Sequence, residues 1–220
     1  MKLRPVAVGA VLVAIALSGC GGSSSTSSSS TAKTAATANG TGSAPVSLPP
    51  GTPAALRGPH GVVLVAGELP GFVPAGYRPP ATSPQSWVAE YPPAQRAPEA
   101  ARLKAVGFVA GIDEHLAPTK GGNGEAISNV EQFRLAKGAT AEVAAQVNQA
   151  LGRHETPFAV GGIPGAHGWG FSQSSMPDAN IAFAVGAYYY LIGFGTSAAI
   201  APTHAQLIAA AQSLYRRVSR

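Results

Sequence analysis

The side chains able to do chemistry in this chain are few: five histidines, one cysteine, and the polar triplet Asp113-Glu114-His115 inside a predicted strand. His60, His115, His154, His167 and His204 stand at no helical i, i+4 spacing to one another, and no His-Glu-x-x-His pair occurs. No metal-ligand pattern is therefore written along the chain, and no cofactor is expected. Consecutive strand residues face opposite sides, so Asp113, Glu114 and His115 cannot all converge on one substrate; the triplet reads as a solvated strand end. Gly161-Gly162-Ile163-Pro164-Gly165-Ala166-His167-Gly168-Trp169-Gly170 invites a phosphate-loop reading. It lacks the Gly-Lys-Ser/Thr ending of a P-loop and the Gly-x-Gly-x-x-Gly spacing of a dinucleotide fold, so its glycines read as a bulge or a tight crossing. Alternation still sends His167 and Trp169 to one face, where they would line a cleft. Phe171-Ser172-Gln173-Ser174-Ser175 offers no nucleophile elbow. In Tyr188-Tyr189-Tyr190 the outer two share a face, where they either pack beneath a helix or form an aromatic platform for a sugar, lipid or protein. The candidate ligand-binding residues are thus His167, Trp169, Tyr188 and Tyr190, with no catalytic residues assigned. A hydrolase would have to assemble its site through the fold, from His167 or His115.

The cysteine, Cys20, needs a different chemistry. Lys2 and Arg4 give a positively charged start, residues 6–17 are apolar, and the small residues Ser18 and Gly19 follow. This is the layout of a secretory signal, too short for a membrane-spanning helix. Leu17-Ser18-Gly19-Cys20 resembles the lipobox of bacterial lipoproteins. The resemblance implies that the Cys20 thiol receives a diacylglyceryl group and that the signal peptide, residues 1–19, is cut away before it. The mature protein would then sit on the extracytoplasmic face of the cell membrane, held by covalent lipid, and two acyl chains suffice for stable attachment. No cysteine would remain for a disulfide, a thiolate nucleophile or a zinc site.

Residues 20–59 read as a disordered tether, because a Ser/Thr/Gly/Pro-rich stretch with hardly a charge or an aromatic cannot bury enough apolar surface to fold. As a flexible coil of about 38 residues it would span roughly 35 Å. The formal net charge is +5, falling to +3 once Lys2 and Arg4 leave. No run of five like charges appears, so nucleic acid is not an expected partner. Charged residues make up 11% of the chain against a typical value of about 25%, which suits a surface facing wall polymers or lipids.

Residues 60–220 are the size of one domain. Residues 62–66 read as a short β run, and a helix opens at Pro98 with Leu103 and Val106 on one face. Residues 107–116 and 127–136 read as a hairpin about Gly121-Gly122-Asn123-Gly124, and residues 140–151 as a helix. Residues 181–194 carry no charge and read as one long central strand, with Ile181, Phe183, Val185, Tyr189 and Leu191 on one face; a transmembrane helix is the rejected alternative. Thr203-His204-Ala205-Gln206 has capping-box spacing, and Leu207, Ala211, Leu214 and Val218 form the stripe of a last helix. Strand pairs separated by helices predict an α+β fold: an antiparallel sheet of about five or six strands with about three helices packed mainly on one face.

Leu69-Pro70-Gly71-Phe72, Gly107-Phe108-Val109-Ala110-Gly111, Val130-Glu131-Gln132-Phe133 and the Tyr-rich strand before an Ala/Leu helix ending in Arg together resemble exported actinobacterial lipoproteins with a sensor-like α+β domain. No catalytic residues come with that resemblance. The expected function is a non-enzymatic binding domain presented outside the membrane, for an envelope lipid, a glycan or other wall component, or a protein partner. The alternatives are a wall-modifying hydrolase and a scaffold for another envelope protein.

Overall fold

The computed structural model describes residues 52–57, 63–64, 66–120, 124–171, 177–196 and 201–220, all within one compact unit, Val46–Arg220. Cys20 and the stretches expected to be signal peptide and tether, up to residue 51, lie outside the described residues. The fold is α+β, built on one antiparallel sheet. Its strands are β1 (Phe72–Tyr77), β2 (Phe108–Pro118), β3 (Gly124–Phe133), β4 (Thr156–Phe158), β5 (His167–Phe171), β6 (Asp178–Val185) and β7 (Tyr188–Thr196), in the spatial order β1-β2-β3-β7-β6-β5-β4. The helices are α1 (Pro84–Trp87), α2 (Pro93–Val106), α3 (Ala136–Gly152) and α4 (His204–Val218).

Seven strands replace the five or six expected, largely because the apolar run 181–194 is two strands and not one. Gly186 and Ala187 form a two-residue turn, with Gly186 at φ 56, the positive angle that the favoured hairpin turns demand. The turn resets the alternation. Phe183 now pairs with Tyr190 and Ala184 with Tyr189, so Ile181, Phe183 and Val185 share a face with Tyr188, Tyr190 and Ile192 rather than with Tyr189. The short β4 adds the seventh strand at one edge, where Pro157 costs no interior ladder bond. At the other edge, a bulge between Pro74 and Gly76 and the proline itself interrupt β1, which blunts pairing with a foreign strand.

Both faces of the sheet are covered, in place of the single face expected. On one, α4 lays Leu207, Ala210, Ala211, Leu214 and Val218 against Ile181, Phe183, Tyr190 and Ile192. Burying each such aliphatic side chain contributes about 1.5–3 kcal/mol. The capping box is formed: Gln206 N–H donates to Thr203 Oγ1 at 3.2 Å, and Thr203 N–H donates to Gln206 Oε1 at 2.8 Å. The same layer includes Leu56, Val63 and Leu64, all fully buried. The folded unit therefore starts before Pro59, where the tether was expected to end; Leu56 belongs to a 3-10 turn, Ala54–Leu56. Residues 63–64 are not in a strand, and the Leu64 N–H is satisfied by the Ser128 hydroxyl at 3.0 Å.

On the other face, α1, α2 and α3 pack Trp87, Ala100, Leu103, Ala139, Val143 and Ala150 against Phe108, Phe133, Ala182, Tyr189 and Trp169. The Trp87 ring packs on Gly111, where a Cβ would stand 2.7 Å from it, so any larger residue would have to displace the ring. Helix α2 begins at Pro93, five residues ahead of the expected start, and carries Pro98 in its second turn. Ala94 and Pro98 are both exposed, so water can meet the carbonyl that Pro98 cannot. Among the described residues no helix is long and apolar enough to cross a membrane.

Candidate functional site

Strand alternation divides the triplet as expected: Glu114 faces the α4 side, while Asp113 and His115 face the side of α1–α3. It does not leave them solvated. Asp113 is 5% exposed and Glu114 1% exposed, because both sheet faces are roofed and β2 is the second strand in from the edge. Burial pushes the Glu114 carboxyl up to about 7, against the hydrogen bond that Tyr77 supplies.

Along the α1–α3 face, β2, β3 and β7 carry polar residues in register. Asp113 pairs with Asn129, and the next pair inward is Gly111 with Glu131, which in turn pairs with Tyr189. Together they make a polar seam between the sheet and the helices. At its inner end Arg102 on α2 grips two carboxylates. Nε and Nη2 donate to Glu99 at 2.9 and 2.6 Å, while Nη1 and Nη2 donate to Glu142 on α3 at 2.6 and 2.9 Å. Gln146 adds a hydrogen bond to Glu142 at 2.8 Å. Although burial opposes its charge, these bonds hold the Arg102 guanidinium well above the usual range.

Glu131 receives no guanidinium bond. Its carboxyl is buried beside Glu142, and burial first, then that neighbour, drives its pKa well above the ordinary value; Arg102 and a hydrogen bond from the Trp87 side chain oppose the shift. Burial likewise pushes up the Tyr91 and Tyr189 phenols, helped by the surrounding carboxylates.

Toward its outer end the seam opens. His115 Nδ1 lies 3.3 Å from Glu125 Oε2, and Nε2 lies 3.8 Å from Asp113 Oδ2. Arg78 Nε stands 3.3 Å from the same Asp113 oxygen and 2.9 Å from Glu90. The side chains of His115 and Glu125 are 28% and 38% exposed, so this end meets solvent. The hydrogen bond to Glu125 raises the His115 pKa against burial, and the same bond lowers that of Glu125. Burial raises Asp113, opposed by Arg78 and His115.

The seam also gathers unpaired buried atoms. Asp113 Oδ1, Asn129 Oδ1, Glu131 Oε2 and Tyr189 Oη have no hydrogen-bond partner. Buried polar groups are nearly always satisfied, and each one that is not costs about 1–3 kcal/mol. These four lie on the α1–α3 face, whereas Glu114 Oε2 and Gln132 Oε1 lie on the α4 face and Glu155 Oε2 just before β4.

The residues singled out in the sequence are not brought together. His167 is exposed at the start of β5, while Trp169, on the same face, is 4% exposed and packed in the core. Tyr190 is fully buried on the α4 side, its ring stacked on Phe183 at 5.0 Å. Tyr188 is half-buried on that side and accepts a hydrogen bond from Gln132 at 3.3 Å. Tyr188 and Tyr190 thus pack beneath a helix, and Trp169 lies on the opposite side of the sheet from them. The seam residues Arg78, Tyr91, Arg102, Asn129, Glu131 and Glu142 were not foreseen. Their one signal is Ser128-Asn129-Val130-Glu131-Gln132, an uninterrupted polar-rich stretch inside a strand with a buried apolar centre. Among the described residues no group of three His, Cys, Asp or Glu side chains is arranged to hold a metal ion. No protein-family model, curated protein or solved structure matches this chain.

Proposed function

We propose that this is a lipid-anchored binding domain of the cell envelope, displayed outside the membrane from Cys20, and that its ligand enters the outer end of the polar seam. The cluster of unpaired buried atoms on one sheet face carries the reading, because a ligand with hydrogen-bond donors would satisfy acceptors that the protein itself leaves empty. The signal layout and the Leu17-Ser18-Gly19-Cys20 motif support the anchor. A binding role suits the seam better than hydrolysis does. Both ring nitrogens of His115 face carboxylates, and no Ser or Thr hydroxyl is among its described partners, so the imidazole is not poised to activate a nucleophile.

Two measurements test this. The full chain, extracted from membranes and sprayed under native conditions, is expected to carry a bound mass that Asp113→Asn removes. A spectrum with no such mass at any extraction condition counts against the seam as a ligand site. Cys20→Ala should release the protein from the membrane fraction and abolish the diacylglyceryl mass; retention in the membrane would sink the anchor.

A further inference from the structure

At the outer end of the seam, the free atoms of β2 and β3 are of one kind. Asp113 Oδ1 and Asn129 Oδ1 are both acceptors, both without a partner, on residues 5% and 7% exposed. They stand directly across from each other in the β2–β3 ladder, where same-face neighbours have Cβ atoms about 5 Å apart. A single small donor group can reach both. The charge around them is unbalanced: Asp113, Glu90 and Glu125 face Arg78 and, when protonated, His115. Both cations approach Asp113 through Oδ2, which leaves Oδ1 uncommitted.

A neutral hydroxyl brings one donor and would satisfy one acceptor. A quaternary ammonium brings charge and no N–H. A primary ammonium brings three donors and a positive charge, and its bond to a carboxylate is charge-assisted. We infer that the outer end of the seam binds a primary ammonium group, shared between Asp113 Oδ1 and Asn129 Oδ1; this rests on the reading of the seam as a ligand site. Such a group is offered by an amine-headed phospholipid or by the free amino group of a peptide or amino sugar.

The test is the backbone amide spectrum of the isotope-labelled full chain in detergent micelles, titrated with ethylammonium chloride. Saturable shifts are expected at residues 113 and 129. Tetramethylammonium chloride, N-ethylacetamide and glucose should bind there at least tenfold more weakly. Asp113→Asn should weaken ethylammonium at least tenfold. Because that variant removes a buried charge and risks the fold, Asn129→Asp supplies the opposite arm: a second carboxylate should tighten ethylammonium several-fold. Unchanged affinity in folded Asn129→Asp, or equal binding of tetramethylammonium, overturns the inference. Glucose shifting the same residues as strongly as ethylammonium overturns it while leaving the seam a ligand site. No shift from any probe, together with no bound mass in the native spectrum, removes both. Competition by phosphatidylethanolamine discs but not phosphatidylcholine discs would place the group on a lipid; competition by alanyl-lysine alone would place it on a soluble amine.

Discussion

Glu131 is the side chain whose surroundings conflict most with its ordinary chemistry. The Arg102 guanidinium is committed to Glu99 and Glu142, so ionising Glu131 would add a second buried negative charge beside Glu142 that Arg102 and the Trp87 hydrogen bond offset only in part. Its folded pKa is raised, and the sign of the consequence follows. Below about pH 4.5 the carboxyl is protonated in both states; above it only the unfolded chain ionises, which draws the equilibrium toward unfolding. Stability due to this group therefore falls by about 1.4 kcal/mol per pH unit as pH rises from there toward its folded pKa. Glu131→Gln removes that slope. Urea unfolding between pH 5 and 8 should find the variant progressively more stable than the parent as pH rises, and parallel curves would refute the assignment. Arg102→Ala tests the other half of the network, since it leaves Glu142, whose side chain is 1% exposed, as an unpaired buried charge. A loss of about 3 kcal/mol is expected by the same method. Neither residue stood out in the sequence. A Glu in an Ala-rich helix reads as a solvent-facing residue, and only the placement of α3 over β3 makes Glu142 internal. The split of Asp113 from Glu114 was legible because alternation dictates side; their burial was not, because alternation says nothing of depth.

Helix α4 was the most legible element, since its cap is a local interaction among four successive residues. Thr203→Ala should cost about 1 kcal/mol of stability, read as a shift in the urea midpoint at constant slope. An unchanged midpoint would mean that packing alone holds the helix start. The α2 boundary was less legible because a proline is compatible with a first turn but does not require one, and Pro93 and Pro98 both meet that description. The β6–β7 hairpin was hidden for a related reason. Its turn offers only Gly186 as a signal, and a lone glycine within an apolar run is as consistent with a bulge as with a reversal. The cost of that ambiguity was a face: shifting by one residue exchanged Tyr189 for Tyr188 and Tyr190.

The central strands of the sheet are buried on both sides, while β1 and β4 at the edges are largely exposed, and the run 181–194 carried the evidence. Strands covered on both faces read as near-continuous apolar stretches, a signal that distinguishes two-sided burial from a one-sided sheet once the turn within it is known. The antiparallel α+β class was legible from the order of elements, whereas the division of helices between faces depends on where α4 returns, which no local pattern encodes. This architecture predicts a gradient of local stability. Amides in β3, β7 and β6, at the centre of the order, should exchange with deuterium only through global unfolding, and α1 and the edge strand β4 should exchange first. Exchange from β7 as fast as from β4 would contradict a single cooperative core.

Val63 and Glu68, in the segment before β1, are fastened to the last helix. Arg217 on α4 donates to the Val63 carbonyl at 2.9 Å and pairs with Glu68, which also accepts from Ser213 at 2.6 Å. In chain order this staple stands ahead of β1. Three contacts on two side chains of the helix hold that segment, so it is released only when the Arg217 and Ser213 bonds are all broken. The last helix thus ties the segment that leads into β1 to the sheet that bears the seam.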